Sequence, residues 1–271
     1  MGFKILILTI ILSAACWSCG KQVKAQTAFP KADGVPAPAS LEAENRKISE
    51  ALQKARIPAE MAGRILQNAQ SFLGALKPAL RGDPALYALV DKNHPLDPPD
   101  YEPPDLTVLK NGSYITGRAG LMLRKEAEDA LEKMARAARA DGVTLVASSA
   151  YRSYDYQTVV YERNVRESGR ETADRESARP GYSQHQTGLA VDFGSITDDF
   201  AGTPAGIWIF KNAPSYGWTI SFPDGYEDVT GYRWESWHYR YVGVELAAFI
   251  TEWFGGIQQY ALQFIYEWEK L

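Results

Sequence analysis

Ser183-Gln-His-Gln-Thr-Gly-Leu-Ala-Val-Asp-Phe193 runs from polar residues through a glycine into a short apolar segment that carries a single aspartate. Residues 189–193 have the length and apolar content of a buried strand. Strand side chains alternate, so Leu189, Val191 and Phe193 share one face and Ala190 and Asp192 the other. An unpaired carboxylate in the middle of such a strand is among the costliest groups a fold can bury, so Asp192 calls for a partner or a cation. His185 lies seven positions earlier with the opposite parity. Gly188 permits the turn that brings both side chains to one point.

A second polar cluster, Glu235-Ser-Trp-His238, supplies another histidine beside a carboxylate. A straight strand would point Glu235 and His238 to opposite faces, so a turn or bulge at Ser236-Trp237 is required if both address one site. The chain has three histidines and two cysteines, and both cysteines, Cys16 and Cys19, lie near the N-terminus. The folded part therefore has no thiol, and any metal is held by histidine and carboxylate. Two histidines and one carboxylate, His185, Asp192 and His238, leave a fourth tetrahedral position for water, as catalytic zinc requires. Zinc brings a water pKa from about 15.7 to near 7. Glu235 then serves as the base that takes the proton and delivers it to the leaving amine. Arg152, in Ser149-Ala-Tyr-Arg-Ser153, follows an apolar, β-branched run and is placed either to stabilise an oxyanion or to form a structural salt bridge. Trp234, Trp237, Tyr239 and Tyr241 read as core and pocket wall. His94, followed by Pro95, reads as structural.

The 271 residues carry a formal net charge of -4 with 45% hydrophobic and 23% charged residues, a globular composition with no electrostatic footprint for nucleic acid. Lys4, an apolar run at 5–12, the small residues Ser13, Ala14 and Ala15, and then Cys16 have the layout of a signal peptide. That run is shorter than the roughly 20 residues a membrane-spanning helix needs. Residues 1–19 are thus expected to be a leader. Cys16 is the candidate lipidated residue, Cys19 the second choice, and an ordinary cleaved signal the alternative. Residues 20–40, rich in Ala, Pro, Lys and Gln, read as a flexible tether. Over 41–82, apolar residues recur at helical spacing with a break at Pro58, which predicts a helical hairpin. The Pro-dense stretch at 94–105 predicts an extended loop. Helices are expected at 121–140, 154–167 and 205–212, and strands at 143–147, 189–193, 218–222 and 237–242. They follow no regular βαβ alternation. The expected fold is therefore α+β, with a mainly antiparallel central sheet flanked by helices and an added N-terminal helical hairpin. The catalytic domain is expected over 83–255 and a C-terminal helical tail over 256–271.

Three ordered motifs carry a family resemblance: Ser149-Ala-Tyr-Arg-Ser-Tyr154 with Gln157, Ser183 through Asp192, and Thr230-Gly-Tyr-Arg-Trp-Glu-Ser-Trp-His-Tyr-Arg-Tyr-Val-Gly243. Together they resemble the VanY-like zinc D-alanyl-D-alanine carboxypeptidases. Lys92-Asn-His-Pro-Leu96 and Asn212-Ala-Pro-Ser-Tyr-Gly217 also look like segments of that family. The resemblance implies removal of the terminal D-alanine from a peptidoglycan stem peptide outside the cytoplasm. It implies His185, Asp192 and His238 as zinc ligands, Glu235 as base, Arg152 on the oxyanion, and Ser183 and Gln157 at the substrate pocket, whose wall would include Trp237 and Tyr239. Ser236 departs from the proline usual between the glutamate and the tryptophan. An L,D-carboxypeptidase, a D-Ala-D-Ala dipeptidase, or a zinc-containing binding module without catalysis remain as alternatives.

Overall fold

The structure, a computed structural model, describes residues 38–271. The expected leader, Cys16 and all but the last three tether residues lie outside the described residues. Helices α1 (Pro38–Lys54), α2 (Ala59–Gln67) and α3 (Ala69–Ala79) come first. Pro58 precedes α2 with extended backbone, as expected from its fixed φ and missing N–H. The second arm of the expected hairpin is split in two at Asn68. Its side chain donates to the Arg64 carbonyl at 2.9 Å and so satisfies a helix end that the chain then turns away from.

Asp83 opens a 3-10 turn at Pro84–Leu86 by accepting from the Ala85 amide at 2.8 Å. Residues 94–105 contain no helix or strand, in line with their proline content. Next come β1 (Leu106–Val108), β2 (Ile115–Thr116), β3 (Met122–Arg124) and α4 (Lys125–Ala140). The helix expected from 121 starts four residues later because Met122–Arg124 pairs with Leu106–Val108. Strand β4 is Val146–Ser149, starting three residues later than expected, because the Val143 amide closes the end of α4 by donating to the Ala138 carbonyl. Helix α5 (Tyr154–Ser168) is capped by the Ser153 hydroxyl, and α6 (Arg170–Glu176) follows. The remaining elements are β5 (Ala190–Phe193), α7 (Pro204–Asn212), β6 (Trp218–Ile220), α8 (Glu227–Thr230), β7 (His238–Tyr241), α9 (Val244–Phe254) and α10 (Gln258–Glu269).

Among the described residues the main sheet has the order β2-β4-β5-β7-β6, and only the β2-β4 edge pair is parallel. The expected α+β class with a mainly antiparallel sheet is what is found. Strands β5 and β7 are central, and every residue of both is buried. One apolar core lies between the sheet and α4, with Leu123, Leu131, Met134, Val191, Phe193, Trp218 and Tyr239. A second joins the N-terminal helices to α9 and α10 through Ile48, Ile65, Phe72, Phe249, Phe254 and Phe264. Arg240 of β7 is fully buried and donates through Nη2 to the carbonyls of Ala85 and Ala88 at 3.0 and 2.9 Å. Burial pushes its guanidinium down to about 10, so it remains charged at neutral pH. No described helix is long and apolar enough to cross a membrane.

Phe72 is fully buried, with its ring centroid 5.1–6.2 Å from those of Phe249, Trp253, Phe254 and Phe264. Phe72→Ala is expected to lower unfolding free energy by about 3–5 kcal/mol, read from urea denaturation. A loss below about 1 kcal/mol would mean the helical core carries little of the stability.

Candidate metal centre

The two histidines and the aspartate arrive from three separate chain segments. Asp192 and His238 are direct cross-strand neighbours on β5 and β7. His185 sits in a buried 3-10 turn, Gln184–Thr187, which ends at Gly188 with φ +69. A Cβ on Gly188 would fall 2.9 Å from Arg124 Cγ and 3.0 Å from Leu106 Cδ2, so glycine is required there for both conformation and space. The turn is braced from outside, since Gln186 donates to the carbonyls of Pro99 and Tyr101 at 2.7 and 3.1 Å. The Pro-dense loop thus supports the site without forming a regular element.

The ligand atoms of His185, Asp192 and His238 lie within 4.8 Å of one another, and all three residues are buried. Their tautomers follow from their other partners. His185 Nδ1 is 2.8 Å from the Ala150 carbonyl, which can only accept, so that nitrogen carries the proton. His185 Nε2 then turns a lone pair toward Asp192 Oδ2 at 3.2 Å. His238 Nε2 lies 3.2 Å from Gln184 Oε1 and donates to it, leaving the Nδ1 lone pair facing Asp192 Oδ1 at 3.0 Å. Two lone pairs and a carboxylate face each other in a low-dielectric interior, an arrangement that repels itself unless a cation lies among them. The donor set of two imidazole nitrogens and a carboxylate oxygen, each held by an outer partner, fits zinc.

Burial lowers the His185 pKa to about 4, helped by the Arg152 charge, so the ring is neutral near pH 7. Burial opposes ionisation of Asp192, but the Arg152 guanidinium, donating to Oδ2 at 2.8 Å, holds its carboxyl below the ordinary range. Glu235 behaves in the opposite sense. Burial, reinforced by the Asp192 charge, pushes its pKa well above that of an ordinary glutamate. Its Oε2 is 3.7 Å from His238 Nδ1, close to the triad but outside it. The expected turn at Ser236-Trp237 is present, closed by the His238 amide donating to the Glu235 carbonyl at 3.3 Å.

These groups open onto a cleft of about 440 Å³ that Arg152, Ser183, Glu235 and Trp237 help to line. Arg152 Nη2 donates to both Ser149 Oγ and Asp192 Oδ2, at 2.9 and 2.8 Å, while Nη1 has no protein partner among the described residues. The salt bridge weighed from sequence is therefore present, on a guanidinium that also reaches the cleft. Gln157 and Tyr239 are not brought to the cleft. Gln157 is fully buried and holds the Ala178 carbonyl at 2.7 Å. Tyr239 alternates with His238 along β7 and so packs on Phe193 in the core behind the site. Sequence reading missed Gln184, whose adjacency to His185 was the available signal. It also missed Phe222, which packs on the His238 ring, and Arg233, which lies over Trp237 and pairs with Asp198.

The family profile VanY, described as D-alanyl-D-alanine carboxypeptidase, matches residues 120–244. The YodJ protein of Bacillus subtilis (strain 168), provisionally named a carboxypeptidase, is 41% identical over 174 residues, which cover 62% of this chain and 63% of YodJ. The chain spans 53–63% of the length of three of its curated relatives and 86% of a fourth, which is 30% identical. Among solved structures, the LdcB LD-carboxypeptidase is 38% identical with a TM-score of 0.57, covering 64% of this chain and 86% of LdcB. A mutant of the D,D-pentapeptidase VanY from a VanB-type resistance cassette, solved with Zn(II), is 28% identical with a TM-score of 0.56, covering 66% of this chain and 99% of that one.

The raised Glu235 pKa is a statement about stability. A carboxyl that holds its proton more tightly in the native state makes stability fall as pH rises from the ordinary carboxylate range through the raised native value. In metal-free protein, Glu235→Gln should therefore raise the urea midpoint at about pH 8 and change it less at about pH 4. Equal midpoints for variant and wild type at both values would show that the carboxylate is not desolvated.

Proposed function

Because this chain belongs to the VanY family of D-alanyl-D-alanine carboxypeptidases, we propose that it is a zinc-dependent metallocarboxypeptidase removing the terminal D-alanine from peptidoglycan stem peptides. The observation that carries the reading is the convergence of His185, Asp192 and His238 beside Glu235 at the floor of an open cleft. The catalytic unit is proposed to span 83–255, exported to the cell envelope, with Cys16 as the lipid attachment point.

Bound by His185, Asp192 and His238, zinc would supply an activated water and polarise the scissile carbonyl. Glu235, whose Oε2 lies 3.7 Å from His238 Nδ1, would accept the proton of such a water on its carboxylate. Its burial raises its proton affinity, which makes the protonated side chain a competent donor to the departing amine. Arg152 keeps Nη1 for the carbonyl oxygen as negative charge develops there, while its Nη2 stays on Asp192. Ser183 and Trp237 line the cleft and are proposed to contact the peptide. Gln157 acts at one remove by holding the loop at Ala178, and Tyr239 by packing on Phe193 behind the strand pair that carries Asp192 and His238.

A second reading, L,D-carboxypeptidase activity on a tetrapeptide stem, is favoured by the higher identity to LdcB than to the VanY structure. Purified protein incubated with stem pentapeptide or tetrapeptide, with and without a chelator, distinguishes the two by product mass. Chelator-sensitive loss of one alanine from the pentapeptide is expected. Loss only from the tetrapeptide would establish the L,D reading, and no cleavage by zinc-loaded protein would leave a binding module.

Glu235→Gln should retain bound zinc and lose about 10²–10⁴-fold in kcat. Arg152→Ala should lose about 10²–10³-fold, the cost of one oxyanion donor. Full activity in Glu235→Gln would remove it from the role of base.

A further inference from the structure

The family match ends at residue 244, yet α10, which begins at Gln258, reaches back to the outer shell of the candidate metal centre. Its first two residues, Gln258 and Gln259, are 1% and 3% exposed, and each is committed to a different part of the site's surroundings. Gln259 Nε2 donates to Asp91 Oδ2 at 2.7 Å, on the loop that also holds His94. Gln258 Nε2 donates to Thr219 Oγ1 at 2.7 Å and lies 3.4 Å from the Thr219 carbonyl. On its other side, Gln258 Oε1 lies 3.4 Å from Gln184 Nε2 and from Ser221 Oγ.

We propose that Gln258 is a positioning residue for the metal centre, fixing which way round the Gln184 amide sits and hence which nitrogen of His238 is free to bind a cation. The proposal rests on the reading of His185, Asp192 and His238 as the metal ligands. The two ends of a glutamine amide have nearly the same shape and opposite hydrogen-bonding character, so only their partners orient it. The Thr219 carbonyl can only accept, which turns Gln258 Nε2 toward β6 and Oε1 toward Gln184. An acceptor facing Gln184 demands its Nε2, which puts Gln184 Oε1 on Ser221 Oγ and His238 Nε2 at 2.7 and 3.2 Å. His238 must then carry its proton on Nε2, and its Nδ1 lone pair is left facing Asp192. A flipped Gln184 would place an N–H against His238 Nε2 and drive the proton onto Nδ1, the ligand atom. The direction of the whole chain is set by one backbone carbonyl and transmitted by a residue from outside the matched segment.

The chain has three histidines, so imidazole nitrogen-15 signals can be assigned by replacing each in turn. In metal-stripped full-length protein, well above the ordinary imidazole pKa, His238 is expected as the Nε2–H tautomer. An Nδ1–H tautomer would overturn the proposal without any variant at Gln258. Gln258→Met should weaken zinc about tenfold in a chelator competition, and add nothing further when Gln184→Met is already present. Additive losses would mean Gln258 acts only on general stability, and a wild-type zinc affinity in Gln258→Met would equally overturn it. In Gln258→Met the His238 signals should shift from the Nε2–H toward the Nδ1–H tautomer, and an unchanged Nε2–H population would refute the relay. If the wild-type protein binds no zinc, the metal reading fails, and the tautomer measurement still decides the relay by itself.

Discussion

Asp192 is a carboxylate at the centre of a fully buried strand, and its two oxygens face two imidazole nitrogens whose lone pairs point back at it. Such a group is tolerable in a protein interior only if positive charge compensates it. The Arg152 guanidinium supplies part of that charge directly, and the geometry of the remaining acceptors is that of a cation site. The surrounding architecture serves to hold these acceptors together. Strands β5 and β7 are paired so that Asp192 and His238 are direct neighbours, and the Gln184–Thr187 turn delivers His185 from the side.

Glu235 shows the same physics with the opposite outcome. It lies in the same low-dielectric region, where burial raises its proton affinity and the negative Asp192 adds to the rise, whereas that of Asp192 falls. Two carboxylates with protonation tendencies driven apart divide the labour of a hydrolytic site, one as ligand and one as proton carrier. The hydrogen bonds from Ala150 and Gln184 complete this division by fixing the histidine tautomers. The helices outside the matched segment contribute through the buried glutamines of α10, so the helical core built on Phe72 and Phe264 is continuous with the support of the site.

Much of the fold was legible because local chemistry enforces it. Alternation placed Asp192 opposite Val191 and Phe193, Gly188 marked the turn, Pro58 broke a helix, and the prolines of 94–105 excluded regular structure. Element ends moved where a non-local partner intervened, as at Met122–Arg124, which pairs with Leu106–Val108 where a helical start was expected. The same limitation applied to individual residues. Gln157 and Tyr239 sit in motifs typical of the family, yet whether a motif side chain meets the cleft or the core depends on strand parity and on loops from distant sequence.

By itself, the sequence determined the class of fold, the family, and the residue types able to hold a metal, because histidine is scarce and no thiol lies beyond Cys19. Periodicity, turn chemistry and the cost of an isolated buried charge are all local properties, readable within a few residues. The tertiary structure alone decided which nitrogen of each histidine faces Asp192, that Arg152 binds a ligand oxygen as well as lining the cleft, and that Gln184 and Gln258 stand behind the site. Those outcomes depend on contacts between residues 35 to 74 positions apart, whose partners no local pattern can specify.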